Sequence, residues 1–209
     1  MAVDTQKLWR WFGVVAACFA ALTVTVHLRA LDRFDYVTTI WLNAHGNRLM
    51  DWVMSIITAT ATPELSVAVL VALTIVLRRR FGWRAAACLF AAFSGGLLLE
   101  VLFKNWVVQP HPYDMVNRYV FHLGVIKVSM PYAYPSGHAL RALLLTGAMA
   151  LWVMPRAAAF WWTLGGLVGV SRLYLGHHWT SDVIGGTLLA ATLLMVIGTQ
   201  IQPREEVAR

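Results

Sequence analysis

The chain has 209 residues, of which 59% are hydrophobic and only 13% are charged. Soluble domains carry about 25% charged residues, so this composition excludes an ordinary soluble globular protein. The charges lie in short clusters between apolar runs, which predicts one membrane domain over residues 1–209. The formal net charge of +7 indicates membrane topology and not nucleic-acid binding, because the basic residues flank hydrophobic segments.

Taken in chain order, the apolar segments predict a bundle of about six transmembrane helices, each near the ~20 residues that cross a bilayer. Pro63 and Glu64 interrupt the second segment, so its crossing is predicted to begin there, after a shorter lead-in helix. A membrane β-barrel would need a strict alternation of apolar and polar residues, and the sequence does not have it. The predicted fold class is therefore all-α. The segments are 11–26, 52–77, 85–103, 137–154, 157–171 and 183–202.

Basic residues in the connections predict the orientation, because Lys and Arg are retained on the cytoplasmic side. Both termini are therefore predicted to be cytoplasmic, with connections 105–135 and 172–181 on the outer face. Aromatic residues near that face are predicted to form an interfacial belt: Trp106, Tyr113, Tyr132, Tyr134 and Trp179. The cytoplasmic connections and termini hold Lys7, Arg10, Arg78, Arg79, Arg80, Arg84, Arg156, Arg204 and Arg209, and the outer connections hold Arg29, Arg33, Arg48, Arg118 and Lys127.

Ionisable side chains at membrane depth are costly and are therefore candidates for function. In this chain they form three clusters, which the predicted topology brings to the outer face. The clusters are Glu100, Lys104 and His111; Ser136, His138 and Arg141; and Arg172, His177, His178 and Asp182.

The second cluster has the features of an anion site. Ser136 is a good helix N-cap, and Gly137 lets a ligand approach the backbone at the start of a helix, where free N–H groups favour an anion. Together with Lys104 and Arg172, this helix start predicts a phosphate pocket.

The third cluster predicts a nucleophile. His178 and Asp182 are four residues apart at a helix start and so share a face. A carboxylate that accepts the proton of one ring nitrogen leaves the other nitrogen free to attack. His138 is then available as the general acid, which predicts phosphoryl transfer through a phosphohistidine.

These residues resemble the type 2 phosphatidic acid phosphatase superfamily, whose motifs are Lys-x6-Arg-Pro, Pro-Ser-Gly-His and Ser-Arg-x5-His-x3-Asp. The chain has Lys104 followed after six residues by His111-Pro112, then 135–138 as Pro-Ser-Gly-His, then Ser171-Arg172 with His178 and Asp182 at the matching spacings. The second and third motifs are intact, and the resemblance covers about residues 40–200.

The resemblance implies a six-helix bundle in a bacterial inner membrane, with its site at the outer leaflet and no metal or cofactor. His178 would attack phosphorus, Asp182 would orient it, and His138 would protonate the leaving group. The phosphate would be held by Lys104, Ser136, Gly137 and Arg172. Bacterial members act on lipid phosphates and diphosphates such as undecaprenyl diphosphate, phosphatidylglycerol phosphate and phosphatidate.

The first motif departs from the family, because His111 stands where the family has arginine. Histidine titrates near neutrality and lacks a bidentate grip on phosphate. Either Arg118 or Arg141 makes the phosphate contact of the missing arginine, or the substrate carries less negative charge where it meets His111. Glu100 is predicted to pair with Lys104 four residues later, and His177 is predicted to support the nucleophile.

Four alternatives to a hydrolase stay open at this level. A phosphotransferase would use the same motifs and pass the phosphoryl group to a second lipid. An intramembrane serine protease is disfavoured, since the Gly-x-Ser-Gly context is absent. A transporter predicts charges at mid-span, whereas these gather at helix ends. A metal site formed by His138, His177, His178 and Asp182 is the fourth.

Overall fold

The computed structural model describes residues 5–112, 115–121 and 130–201, and over these ranges the regular structure is helical without a strand. The predicted all-α class is therefore confirmed for the described residues. A π-helical turn, Met149–Val153, continues α6, and a short 3₁₀ helix, Pro155–Ala157, precedes α7. The helices are α1 (Thr5–His27), α2 (Asp32–Ala44), α3 (Arg48–Ala59), α4 (Pro63–Phe81), α5 (Trp83–Trp106), α6 (Gly137–Ala148), α7 (Ala158–Tyr174) and α8 (Thr180–Gln200).

The bend between α3 and α4 follows from local sequence. The Asn47 side chain caps α3 by accepting a hydrogen bond from Met50 N at 2.9 Å. Pro63 occupies the first turn of α4, where its missing N–H leaves no helical bond unmade. The two helices meet at an angle of 49°, so the predicted lead-in helix before Pro63 is confirmed.

Three helices, α1, α5 and α8, are long and apolar enough to span a membrane, and the bent pair of α3 and α4 adds a fourth candidate among the described residues. The run Gly137–Val153 is apolar but shorter, and α7 has 17 residues. The structure thus supports a multi-pass membrane protein with three or four spans by length and composition, and the count of six stays a prediction.

One helix was not predicted. The connection after α1 contains α2, a 13-residue helix whose Asp35, Thr39 and Asn43 are buried. These polar residues recur every four positions and so lie on one face. Helix α2 packs this face against α7 and α8, and it therefore covers the end of the bundle where the polar clusters lie.

Helix α8 lies against α1, α5 and α6, while α7 packs on α3 and α6. The core between them is formed by fully buried side chains such as Leu77, Leu89, Leu144 and Ile197. Because α5 and α7 end where α6 and α8 begin, the three polar clusters come to the same end of the bundle.

The predicted aromatic belt is corrected at one position. Tyr134 is completely buried, and its hydroxyl lies 2.9 Å from Thr23 Oγ1 of α1. Trp106, by contrast, is 60% exposed, and its place in a belt stays a prediction. Tyr113, Lys127, Gln202, Arg204 and Arg209 lie outside the described residues.

Candidate active site

A cavity of about 420 Å³ opens where α5 and α7 end and α6 and α8 begin. Its volume is typical of a small-molecule site and exceeds the needs of a single phosphate group. Part of its wall is apolar, formed by Pro63, Leu97, Val101 and Met130. The polar lining comprises Glu100, Lys104, His111, Gly137, His138, Arg141, Arg172, His177 and His178.

The His178 imidazole is oriented by Asp182, in the first turn of α8. Its Nδ1 lies 3.1 Å from Asp182 Oδ2, and the same oxygen accepts a hydrogen bond from Trp179 N at 2.9 Å. Asp182 is completely buried behind the imidazole. With Nδ1 engaged, Nε2 is the ring nitrogen left for a reaction in the cavity.

Burial favours the neutral form of two histidines in the connections between helices. Burial lowers the pKa of His178 well below its usual value, and the nearby charges of Lys104 and Arg172 lower it further. Burial also lowers the pKa of His111, although a hydrogen bond to the Met130 carbonyl, at 3.2 Å, opposes this shift. His178 is therefore in its nucleophilic form, and His111 contributes no full positive charge.

Ser136 joins two of the motifs. Its Oγ accepts a hydrogen bond from Ala139 N at 3.5 Å, as expected for an N-cap of α6. Its backbone N donates to the Asp182 carbonyl at 2.9 Å, which fixes the start of α6 against the first turn of α8. Ser136 is completely buried, so the structure gives its hydroxyl a capping position next to the cavity lining.

Lys104 and Arg172 supply buried positive charge, and each is only 6% exposed. Lys104 Nζ donates to the Ala133 carbonyl at 2.9 Å. Arg172 donates to Thr58 Oγ1 at 3.2 Å and to the Tyr119 hydroxyl, while its Nε has no hydrogen-bond partner among the described residues. These bonds hold both cations at the cavity wall, where an anion would complete their coordination.

Arg141 and Arg118, the two predicted substitutes for the missing arginine, lie in different places. Arg141 lines the cavity and donates to Glu100 Oε2 at 3.1 Å. Arg118 lies elsewhere, with its Nε 2.5 Å from the Asn43 carbonyl and its guanidinium 3.5 Å from Asp51. Only Arg141 is therefore positioned to contact a ligand in the cavity.

Glu100 is the carboxylate of the cavity wall. The predicted pair with Lys104 is long, with Nζ and Oε1 4.0 Å apart, and Arg141 is the closer partner. The carboxylate also lies against Gly137, where a Cβ atom would collide with it. A side chain at position 137 would therefore displace the Glu100 carboxylate from this place.

His177 also lines the cavity, next to the proposed nucleophile. Its ring meets that of Tyr119 edge to face, with centroids 4.6 Å apart. Tyr119 in turn accepts the hydrogen bond from Arg172. His177 therefore contacts the tyrosine that binds Arg172, and its supporting role stays a prediction.

Sequence reasoning missed Asp35 and Gln109, which support the start of α8. Asp35 accepts hydrogen bonds from Ser181 N at 2.8 Å, from Ser181 Oγ at 2.6 Å and from Gln109 Nε2 at 3.1 Å. Burial raises the pKa of Asp35, and these hydrogen bonds oppose the rise. The only signal in the sequence is the four-residue spacing of polar residues in α2, which gives no indication of the partner.

The chain is similar to known proteins in family, sequence and fold. The PAP2 superfamily model matches residues 81–206, which is more than half of the chain. The chain is similar to an undecaprenyl-diphosphatase from Sulfolobus acidocaldarius, with 35% identity over 108 residues, which are 49% of this chain and 48% of the relative. It is also similar to phosphatidylglycerophosphatase B from Bacillus subtilis, with 26% identity over 117 residues, covering 50% and 52% of the two chains.

The chain thus spans about half the length of these two relatives in the matched regions. Its fold is similar to the crystal structure of a transmembrane PAP2 type phosphatidylglycerolphosphate phosphatase from Bacillus subtilis, with a TM-score of 0.72 and 20% identity. That match covers 89% of this chain and 93% of the other. The family match, together with the arrangement of Lys104, His138, Arg172 and His178 around one cavity, shows that the chain belongs to the PAP2 superfamily.

Proposed function

We propose that the chain is an integral-membrane phosphatase that hydrolyses a lipid phosphate or diphosphate through a phosphohistidine intermediate. The site would face the periplasm from a bacterial inner membrane, and it would need no metal or cofactor. Family membership and relatives named as lipid phosphatases support the hydrolysis of a lipid phosphate. The substrate is expected to be of the undecaprenyl diphosphate, phosphatidylglycerol phosphate or phosphatidate type.

One observation carries the proposal: the buried His178, held by a carboxylate, shares a cavity with Lys104, Arg172 and His138. His178 is 6% exposed and Asp182 is 0% exposed, so the pair is shielded from bulk water except through the cavity. This combination suits a nucleophile and an anionic substrate.

In the first step, Nε2 of His178 attacks phosphorus, so that a P–N bond forms as the bond to the leaving oxygen breaks. His138 gives its proton to that oxygen, which departs as the lipid alcohol or, for a diphosphate, as the lipid monophosphate. Asp182 accepts the hydrogen bond from Nδ1 and stabilises the positive charge that develops on the ring. Lys104 and Arg172 stabilise charge on the equatorial oxygens.

In the second step, water attacks the phosphohistidine. His138, now unprotonated, accepts a proton from the water, and the P–N bond breaks. Inorganic phosphate leaves and His178 regains its free Nε2. Each group thus returns to its starting protonation state after one turnover.

The test is phosphate release by the purified chain in detergent or liposomes, with lipid monophosphates and diphosphates as substrates. We expect His178→Ala to abolish turnover, while His45→Ala, a matched change at an exposed histidine of the α2 end, leaves it intact. Equal activity in His178→Ala and the wild type would overturn the proposal. Transfer of labelled phosphate to a second lipid instead of water would identify a phosphotransferase.

The same assay in excess chelator tests whether the reaction needs a metal ion. Among the described residues, no group of three or more His, Cys, Asp or Glu side chains is arranged to hold a metal ion. We expect full activity in the chelator, because the proposed mechanism assigns each charge and each proton to a side chain. Activity lost in chelator and restored by one added metal would contradict the mechanism.

A further inference from the structure

The cavity contains a carboxylate as well as cations. Lys104, Arg141 and Arg172 line it, and so does Glu100. Glu100 lies 3.1 Å from Arg141 and 4.0 Å from Lys104, so two of these three cations already face a negative charge. The positive charge available to a substrate is correspondingly reduced.

Neither His111 nor Arg118 adds positive charge to the cavity, and the charge of Arg141 is already paired with Glu100. Burial lowers the pKa of His111, which leaves the imidazole uncharged near pH 7. Arg118 is bound to the Asn43 carbonyl and to Asp51. Of the two explanations for His111, the structure thus favours a substrate that presents less charge at this point.

Glu100 lies beside the start of α6, the helix that carries the proposed general acid His138. Its carboxylate is pressed against Gly137, which precedes the proposed general acid His138. Its partner Arg141 follows His138 by three residues and so lies on the same face of α6. Whatever is attached to the leaving oxygen would therefore meet the Glu100–Arg141 pair.

Phosphate monoesters and diphosphates differ in the group attached to the leaving oxygen. In a phosphate monoester the leaving oxygen is attached to an uncharged carbon. In a diphosphate it belongs to a second phosphate group, whose negative charge would lie near the Glu100 carboxylate. Repulsion between like charges is strong in a buried site, where little water screens it.

We propose that Glu100 is a specificity-determining residue that makes this site prefer lipid phosphate monoesters to lipid diphosphates. This inference rests on the proposed phosphatase function and narrows its substrate. Arg141 holds the carboxylate in place and keeps the pair neutral, so a monoester experiences little net charge there. A diphosphate experiences a repulsion that Arg141 only partly offsets.

The test compares two substrates with the same chain, farnesyl phosphate and farnesyl diphosphate, by kcat/KM for phosphate release. We expect the wild type to prefer the monophosphate. Glu100→Gln keeps the size of the side chain and an oxygen for Arg141 but removes the charge, and it should shift the ratio toward the diphosphate by about tenfold. Glu100→Asp, which keeps the charge, should retain the preference.

Asp32→Asn is the matched control, because it removes the same charge from an exposed carboxylate that pairs with Arg29 away from this cavity. The ratio in this variant should stay within about twofold of the wild type. A wild type that prefers the diphosphate, or a ratio unchanged by Glu100→Gln, would overturn the role of Glu100.

A second measurement needs no variant. Inorganic phosphate should inhibit the wild type at lower concentration than inorganic pyrophosphate, and the reverse order would contradict the inference. The proposed function fails in a different way: the wild type would release no phosphate from either substrate, or His178→Ala would release it equally well. That result would overturn both proposals, whereas a wrong ratio alone overturns only the second.

Discussion

The protonation state of His178 decides whether the site can act. Its Nδ1 contacts Asp182, and burial together with Lys104 and Arg172 lowers its pKa. Only the unprotonated Nε2 has a lone pair for phosphorus. The surroundings that bind an anion therefore also keep the nucleophile uncharged.

A pH profile of kcat/KM tests whether the pKa of His178 is lowered. Because a lowered pKa keeps the imidazole unprotonated down to lower pH, the acid limb of kcat/KM should fall below 6.5, the ordinary value for histidine. Phosphate monoesters themselves ionise at pH ~6, so the substrate also contributes to this limb. The free enzyme is therefore titrated separately, by measuring how fast diethyl pyrocarbonate, which modifies neutral imidazole, inactivates it at each pH. A phosphate-protectable inactivation with a pKa above 7 would contradict the shift.

His111→Arg restores the family residue at the one position where the motif departs. We expect this variant to retain activity, since the side chain lines the cavity and a guanidinium adds a phosphate contact. The added charge should also favour the diphosphate relative to the wild type. Turnover reduced to the level of His178→Ala would show that the motif alignment is misleading here.

Most residues of the site could be predicted from the sequence, because residue type and spacing along the chain indicate their chemical roles. The four-residue spacing of His178 and Asp182 predicts their contact directly. The link between Asp35 and Ser181 spans 146 residues and depends on how α2 packs, which no local pattern encodes. Tyr134 was misassigned for the same reason, since its partner Thr23 belongs to α1.

At the scale of helices, the contact between α6 and α8 holds the two histidines on one cavity. Gly186 of α8 lies against the Ser136 carbonyl, and a Cβ at this position would come within 3.2 Å of Leu140 N. The start of α6 and the first turn of α8 can approach closely only because Gly186 has no side chain.

Gly186→Ala should therefore lower both the thermal stability and kcat, by overpacking that costs about 1–3 kcal/mol. Gly166→Ala on α7 is the control, because a Cβ there meets open space. It should leave activity unchanged and stabilise its helix by up to about 1 kcal/mol. Equal melting temperatures and activities for the two variants would show that the close contact is unimportant.

Helix boundaries were predicted where the sequence has a local signal. Pro63 predicted the start of α4, and the Pro-Ser-Gly run predicted the start of α6. Helix α2 was not predicted, because its mixed polar and aromatic composition resembles a connection and its buried polar face is satisfied only by α7, α8 and residues of the loops.

At the scale of the whole molecule, the proposed function requires the cavity to face away from the cytoplasm. Arg48, the first residue of α3, lies at the predicted outer end, and Arg79, in the last turn of α4, lies at the opposite end. Both residues are exposed. The excess of Lys and Arg near the α4–α5 connection predicts that the end with Arg79 is cytoplasmic.

Cysteine labelling tests the orientation. Arg48→Cys and Arg79→Cys are each made in a chain whose native Cys18 and Cys88 are changed to alanine. In right-side-out vesicles, a membrane-impermeant maleimide should label Arg48→Cys at once and Arg79→Cys only after permeabilisation. The opposite pattern would place the cavity in the cytoplasm and contradict the predicted topology.

The most direct test of the central claim is to trap the phosphoryl group on the protein. The chain is mixed with a lipid phosphate monoester, quenched under alkaline conditions that preserve phosphohistidine, and mapped by peptide mass spectrometry. We predict a phosphoryl group on His178, absent from His178→Ala and lost on incubation with water as inorganic phosphate appears. Turnover without any phosphorylated histidine, or a phosphoryl group on a different residue, would contradict the account.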